Sequence, residues 1–206
     1  LQVKHSYPTF DLILLDGEER AVFDRYFELL ECRPPRAPRV TGWTSWYNYY
    51  TDINEQLLLE NLEALSAAPQ NFDIFQIDDG YQTYVGDWLS TKPSFPRGMA
   101  YLAQQIRQRG LQPGLWLAPF VCDPRSAWGG WYYALEFYQP GVQEYLTQVF
   151  YQVLDQWGYQ IVKLDFLFAA CIQPPVQKTR GQVMHEVMAF LRRLVGERWI
   201  LACGVP

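Results

Sequence analysis

The feature that most constrains the fold is an alternation of apolar, strand-like segments with helical segments along residues 40–206. Helical apolar spacing occurs at 54–67, 99–109, 140–157 and 179–195. The strand-like segments before, between and after these helices are 40–46, 72–80, 111–120, 159–166 and 199–203. Strands that alternate with helices are typical of parallel βα units. The sequence therefore predicts a parallel sheet covered by helices.

Two folds are built from such units, the doubly wound sheet and the eight-stranded βα barrel. No GxGxxG pattern follows the first strand, so a dinucleotide-binding sheet gains no support. Polar and aromatic residues instead cluster where the predicted strands end, as in barrel enzymes. These residues are Trp43, Trp46, Asp78, Asp79, Lys163, Asp165 and Cys203. We therefore predict an α/β chain that forms the first five strands of a (β/α)8 TIM barrel.

Residues 1–39 have a different organisation. FDLILLD (residues 10–16) is strand-like, and residues 18–30 have helical apolar spacing. RPPRAPR (residues 33–39) cannot continue a helix and is typical of a linker. The sequence predicts a boundary here, with residues 1–39 outside the barrel and residues 40–206 inside it.

Composition excludes several classes of function. The net charge is −5 and no basic stripe occurs, which argues against nucleic acid as a partner. The sequence has no run of 18 apolar residues and therefore predicts no membrane span. The four cysteines lack CxxC spacing, so we expect free thiols and no zinc. The 8 Trp, 14 Tyr and 12 Phe residues suit either core packing or the apolar faces of sugars. The chain lacks an initiator Met and stops just after a strand-like run, so we expect a piece of a longer chain.

The segment IVKLDF (residues 161–166) places two charges in an apolar strand. Lys163 and Asp165 are two residues apart and therefore point to the same face. A lysine keeps a nearby carboxylate ionised, which suits the nucleophile of a retaining glycosidase. A buried structural ion pair is the alternative. A Schiff-base lysine is disfavoured because the aspartate would hold the ammonium protonated.

Asp78 and Asp79 close the second predicted strand and precede Gly80. Paired carboxylates can accept hydrogen bonds from two adjacent sugar hydroxyls. They also suit a magnesium ion, or a simple turn before glycine. A lysine in the same site competes with a metal, so Lys163 favours the sugar clamp over magnesium.

Several motifs together resemble the catalytic barrel of the family 36 glycoside hydrolases, the α-galactosidases or melibiases. In chain order they are GWTSWYNYY (42–50), IDDG (77–80), GDW (86–88), FPRGM (95–99), GLWLAPF (114–120), WYYALEFYQPGVQEYL (131–146), KLDF (163–166) and CGVP (203–206). The resemblance runs from about residue 40 to the end. It implies that residues 1–39 are the end of an N-terminal β-sandwich domain and a linker helix.

The resemblance implies a retaining enzyme that cleaves terminal α-galactosyl groups without a metal or cofactor. Asp165 of the KxD motif would be the nucleophile, and Lys163 would bind a sugar hydroxyl and keep Asp165 ionised. Asp78 and Asp79 would hold the 4- and 6-hydroxyls and so select axial O4. The remaining substrate-binding residues implied by the family are Trp43, Trp116, Cys203 and Gly204.

The chain departs from the family pattern in two places. The family's general acid/base is an aspartate after the sixth strand, which would lie beyond residue 206, so we expect these residues alone to be inactive. The segment at 123–131 looks shorter than the family's substrate-facing loop. An opened barrel also exposes sheet edges, so we expect the chain to need further chain or a dimer partner for stability.

Other functions on the same barrel stay open. They are an α-N-acetylgalactosaminidase, a galactosyl transferase of the raffinose-synthase type and a non-catalytic sugar-binding barrel, while a metal-dependent enzyme is the more distant option. We expect an α-galactoside oligosaccharide as partner, no nucleic acid and no membrane. Family members often form tetramers, so a homo-oligomer is possible. The location predicted from the sequence is cytoplasmic.

Overall fold

The computed structural model describes residues 12–31, 39–67, 72–126 and 133–205. The chain divides into two compact units, Leu1–Arg39 and Val40–Pro206. The division falls at the residue where the sequence predicts a boundary. The identity of residues 1–39 as the end of a β-sandwich domain stays a prediction.

The first unit contains helix α1, Glu19–Leu29, close to the predicted bounds. The strand predicted at 10–16 is not present at residues 12–16, which have no regular secondary structure. A strand needs a neighbour for its backbone hydrogen bonds, and no described residue pairs with this segment. Leu12 and Leu14 are exposed, while Ile13 and Leu15 line a shallow groove beside α1.

The second unit is built on a parallel sheet whose strands follow one another in space in chain order. The strands of the unit are β1 (Gly42–Thr44), β2 (Ile74–Ile77), β3 (Gln112–Leu117), β4 (Val121–Cys122), β5 (Tyr133–Ala134), β6 (Ile161–Leu164) and β7 (Trp199–Ala202). The five-stranded sheet has the order β1-β2-β3-β6-β7, and every pairing in it is parallel. The predicted parallel sheet is confirmed, and β4 and β5 form a separate antiparallel pair.

The helices of this unit connect the parallel strands. They are α2 (Trp46–Tyr49), α3 (Glu55–Ser66), α4 (Gly98–Gln108), α5 (Pro140–Tyr151) and α6 (Arg180–Val195). A π-helical segment, Gln152–Gln156, extends α5, and a 3-10 helix, Leu167–Cys171, follows β6. Asn54 caps α3 by accepting from the Leu57 amide, and Thr179 forms a capping box with Gln182 at α6. No helix in the described ranges is long and apolar enough to cross a membrane.

The two faces of the sheet differ in chemistry because side chains alternate along each strand. One face packs against the helices and forms the core, with Phe75, Ile77, Leu115, Leu117, Val162 and Leu164 fully buried. The other face, which we call the interior face, carries Thr44, Gln76 and Gly114 in one row across β1, β2 and β3, and Trp116 and Lys163 in the next row across β3 and β6. The polar residues of the sheet therefore gather on one side and near one end.

Candidate active site

Asp78 directly follows β2, and its carboxylate is almost fully buried, with 1% of the residue exposed. The Oδ2 atom accepts hydrogen bonds from Lys163 Nζ at 2.9 Å, Gln76 Nε2 at 2.7 Å and Thr44 Oγ1 at 3.3 Å. The Oδ1 atom accepts from the Asp79 amide at 3.0 Å. A buried carboxylate is costly without such donors, and this network fixes Asp78 in one orientation.

Lys163 reaches past β3 to Asp78, whereas the sequence indicated Asp165 on its own strand as the partner. In β3, Trp116 is the residue in register with Lys163, and Gly114, two residues earlier, stands opposite Gln76. A Cβ atom at residue 114 would lie 3.2 Å from the Cβ and Cγ atoms of Gln76, so glycine makes room for the Gln76 side chain. Lys163 is thus ion-paired with Asp78, the candidate for binding sugar hydroxyls, and not with Asp165, the candidate nucleophile.

Asp165 follows β6 and is held by two N–H groups, one on each carboxylate oxygen. Trp116 Nε1 donates to Oδ2 at 3.2 Å, and the Phe166 amide donates to Oδ1 at 2.8 Å. Phe166 has a left-handed backbone (φ 51°), which turns the chain sharply after Asp165. Each oxygen accepts one of these bonds and has further lone pairs, so the carboxylate is oriented and still able to react.

Trp116 lies on the interior face, in register with Lys163. Only 3% of its surface is exposed. Its indole contacts Trp88 edge-on, with the ring centroids 5.6 Å apart. The structure therefore gives Trp116 a definite position beside Asp165 as a hydrogen-bond donor, in addition to its predicted place in the pocket.

Asp79 is partly buried beside Asp78, and Gln82 Nε2 donates to its Oδ1 at 2.6 Å. Burial raises the pKa of Asp79 above its ordinary value, and the negative charge of Asp78 adds to this, while the Gln82 bond and Lys92 oppose it. Among side chains of the described residues, Gln82 donates to Oδ1 of Asp79, and the Gly80 backbone also lowers the pKa of this carboxyl. Asp79 therefore presents an acceptor at the end of β2.

Cys203 and Gly204 follow β7 and lie next to the turn after Asp165. The Cys203 amide donates to the Leu164 carbonyl, and the Gly204 carbonyl accepts from Phe168. Burial raises the pKa of the Cys203 thiol, and the nearby charges of Asp165 and Asp78 act in the same direction. A Cβ atom at residue 204 would lie 3.3 Å from the backbone of Phe166, so the two loops approach closely.

The predicted place of Trp43 in the pocket does not agree with the structure. Trp43 alternates with Thr44, so it points to the opposite side of the sheet. Its ring stacks on Phe75 at 4.3 Å between centroids and also contacts Tyr49. Trp43 therefore belongs to the packing between sheet and helices.

Sequence reasoning missed four polar residues around the carboxylates: Thr44, Ser45, Gln76 and Gln82. Ser45 Oγ accepts from the Asp78 amide at 2.9 Å, and the other three donate to Asp78 or Asp79. One signal was available for Gln76, a polar residue in an apolar strand two positions before Asp78. Ser45, Gln76 and Gln82 are buried, which the sequence does not reveal.

The loop after β3 is described only in part. Asp123 accepts from the amide and guanidinium of Arg125, and these bonds lower the pKa of Asp123 to about 2. Residues 127–132 lie outside the described residues, so the shortened loop stays a prediction. Within the described ranges no group of three or more His, Cys, Asp or Glu could hold a metal ion. At Asp78 the Lys163 ammonium already stands where a cation would bind.

A parallel sheet with charged groups after β2 and β6 is the arrangement of a TIM-barrel enzyme. The sequence model of the melibiase family matches residues 36–129. The α-galactosidase TtGalA from Thermus thermophilus, solved with p-nitrophenyl α-D-galactopyranoside, is 38% identical, with a TM-score of 0.78 over 92% of this chain and 43% of that one. The same enzyme has been solved with stachyose.

A comparison of sequences with a curated relative agrees with this structural similarity. The α-galactosidase AgaA from Geobacillus stearothermophilus is 33% identical in an alignment of 84 residues, which covers 37% of this chain and 11% of that protein. The predicted relationship with the family 36 α-galactosidases and the five-stranded partial barrel are therefore confirmed. The chain spans less than half of the length of these relatives.

Proposed function

We propose that the chain acts on terminal α-galactosyl groups as part of a retaining glycoside hydrolase. The observation that carries this proposal is the Asp165 carboxylate, held by Trp116 and the Phe166 amide on the sheet that also carries the Asp78–Lys163 pair. An oriented carboxylate in such a position suits nucleophilic catalysis at a sugar. The likeness to the Thermus enzyme, which was solved with an α-galactoside, supports the substrate class.

In this mechanism an oxygen of Asp165 attacks the anomeric carbon, and the bond to the leaving oxygen breaks. The product of the first step is a β-galactosyl ester of Asp165, which water then hydrolyses with net retention. A retaining enzyme also needs a second carboxylate about 5–5.5 Å from the nucleophile to protonate the leaving oxygen. The family resemblance puts that residue after residue 206, and this stays a prediction.

Three groups of the site have capacity left for sugar hydroxyls. Asp78 Oδ2 accepts three hydrogen bonds from the protein, so the hydroxyl would donate to Oδ1, which accepts one. Asp79 would accept a second hydroxyl at Oδ2. The Lys163 ammonium has three N–H groups, of which Asp78 takes one, so it has donors for a sugar oxygen. This pattern fits two hydroxyls on the same side of a sugar, such as those on C4 and C6 of galactose.

The proposal is tested with a donor whose leaving group needs no proton, 5-fluoro-α-D-galactosyl fluoride. The C–F bond at the anomeric carbon breaks, fluoride leaves, and the new ester bond forms on Asp165. We expect intact-mass spectrometry to show one added fluorogalactosyl group, and peptide mapping to place it on Asp165. Asp165→Asn is the matched control and should stay unlabelled while binding galactose.

The outcomes separate the competing functions. A label on another carboxylate would refute the assignment of Asp165. Galactose binding without any label in the wild type would favour the non-catalytic sugar-binding barrel. The substrate is then identified with the longest natural chain that contains these residues. Its hydrolysis of the 4-nitrophenyl α-galactoside is compared with its hydrolysis of the α-glucoside and the N-acetyl-α-galactosaminide. We keep a cytoplasmic location and a homo-oligomer as proposals, tested by cell fractionation and by sedimentation.

A further inference from the structure

We propose that Trp88 and Tyr145 are positioning residues that hold the Trp116 indole on the Asp165 carboxylate. This inference rests on the proposed function, because it gives these two residues a part in orienting the nucleophile. Neither residue is among the site residues that the sequence predicts or the family resemblance implies. The geometry that connects them runs from helix α5 to the end of β6.

The first contact is between the two indoles. Trp116 donates its single N–H to Asp165, so the bond survives only while the indole plane keeps its tilt. Trp88 meets Trp116 at an interplanar angle of 68°, and Trp88 is fully buried. A buried edge-to-face contact restricts the ring because rotation would cause a clash on one side and a void on the other.

The second contact anchors Trp88 itself. Trp88 lies in the loop after β2, and its amide donates to the Tyr145 hydroxyl oxygen at 3.2 Å. The Tyr145 hydroxyl in turn donates to the Gly86 carbonyl at 2.5 Å. Tyr145 is on α5, the helix that leads through the π-helical segment to β6 and Asp165. One hydroxyl therefore fixes the loop backbone on both sides of residue 87.

The other side of this loop is also closed. Gly86 has a φ of 104°, and a Cβ atom there would lie 2.7 Å from the Cβ atom of Cys122 in β4. The loop therefore packs directly against β4 at Gly86 and against α5 at Tyr145. Trp88 has little freedom to move away from Trp116.

A buried polar atom supports the choice of tryptophan at residue 88. Trp88 Nε1 is fully buried and has no hydrogen-bond acceptor among the described residues. Such an unsatisfied donor lowers stability, so a phenylalanine would avoid this cost at a purely structural position. The indole offers a larger ring than phenylalanine, and that ring is in contact with Trp116.

The test uses the chain labelled with 15N-tryptophan, in which Trp116→Phe assigns the Trp116 indole N–H resonance. We expect Tyr145→Phe and Trp88→Phe to shift this resonance and to accelerate its exchange with water. The matched control is Tyr151→Phe, an exposed tyrosine of the same helix whose hydroxyl contacts Gln156. An unchanged Trp116 resonance in both variants would overturn the inference whether or not the chain is catalytic.

The second readout is the rate of ester formation from 5-fluoro-α-D-galactosyl fluoride. A misplaced nucleophile reacts more slowly, so we expect Tyr145→Phe to lower the first-order rate about tenfold with the galactose Kd unchanged. In the Trp116→Phe background the same substitution should have no further effect, because the connection is already broken. Equal losses in both backgrounds would refute the positioning role. No ester in the wild type would instead refute the proposed function.

Discussion

Lys163 Nζ lies 2.9 Å from Asp78 Oδ2, across an intervening strand whose residue beside Gln76 is a glycine. This pair joins the charged groups after β2 to those of β6. It leaves Asp165 to be oriented by N–H groups of Trp116 and Phe166. Lys163 and Asp165 therefore have separate partners, although they are only two residues apart in the chain.

Removing the ammonium from this pair should destabilise the fold. Lys163→Met leaves the Asp78 carboxylate buried with only neutral donors, and breaking a buried ion pair costs about 3 kcal/mol or more. Urea titration measures the free energy of unfolding. Lys178→Met is the matched control, since its pair with Glu186 is partly exposed and should contribute about 1 kcal/mol or less. Equal losses in the two variants would contradict the prediction.

Gly114→Ala should disturb Asp78 without touching it. The new Cβ atom meets Gln76 at 3.2 Å, so the Gln76 side chain must shift and its bond to Asp78 weakens. We expect a loss of about 1–2 kcal/mol in stability and weaker galactose binding by calorimetry. Gly141→Ala, in α5, where a Cβ atom meets nothing within 4 Å, is the control and should not lower either quantity.

Asp79 should make galactose binding depend on pH. Its pKa is raised by burial, and only the ionised form accepts hydroxyls on both oxygens. Galactose affinity should therefore fall as pH is lowered through this raised pKa, above the ordinary value of 3.8. Calorimetry across this range measures the change, and in Asp79→Asn the pH dependence should be lost. A parallel pH profile in the variant would show that another group titrates.

The same carboxylate has the opposite effect on stability. A pKa raised in the folded state means that the unfolded chain releases the proton first, so stability falls as pH rises through the interval above 3.8. Asp79→Asn removes this effect. The stability of the variant relative to the wild type should thus be greater at neutral pH than in acid, as measured by urea titration at each pH.

Trp43→Ala should affect stability and leave sugar binding unchanged. The ring packs against Phe75 on the helix-facing side of the sheet, so its loss leaves a cavity that costs about 3 kcal/mol. The galactose Kd should stay within the error of the measurement. A large loss of affinity with little loss of stability would instead restore Trp43 to the pocket.

The free edges of the sheet should drive association of the isolated chain. Within the described residues β1 and β7 each have one partner in the sheet, and Leu201 of β7 is exposed. Unpaired strand edges are templates for pairing with other chains. Sedimentation at increasing concentration should show self-association, which Leu201→Lys should reduce. A monomer that unfolds cooperatively in denaturant would contradict this expectation.

The sequence by itself determined the order and type of the main elements. The apolar segments that became β2, β3 and β6 alternate with helices at a spacing that only parallel units satisfy. The helices predicted at 54–67 and 179–195 correspond to α3 and α6, which the structure shows to be capped by Asn54 and Thr179. Asp78 and Asp165 could be recognised as candidate site residues from the sequence, because a charged side chain next to a buried strand is costly unless it is paired or has a function.

Only the tertiary structure decided which side chains meet. The strand register and the Lys163–Asp78 ion pair both depend on contacts between residues distant in sequence. The strand predicted at 10–16 is not formed at residues 12–16, since a strand requires a partner that local sequence does not specify. Likewise, Trp116 became a donor to Asp165 and Trp43 a packing residue because the pleat and register set the face of the sheet to which each ring points.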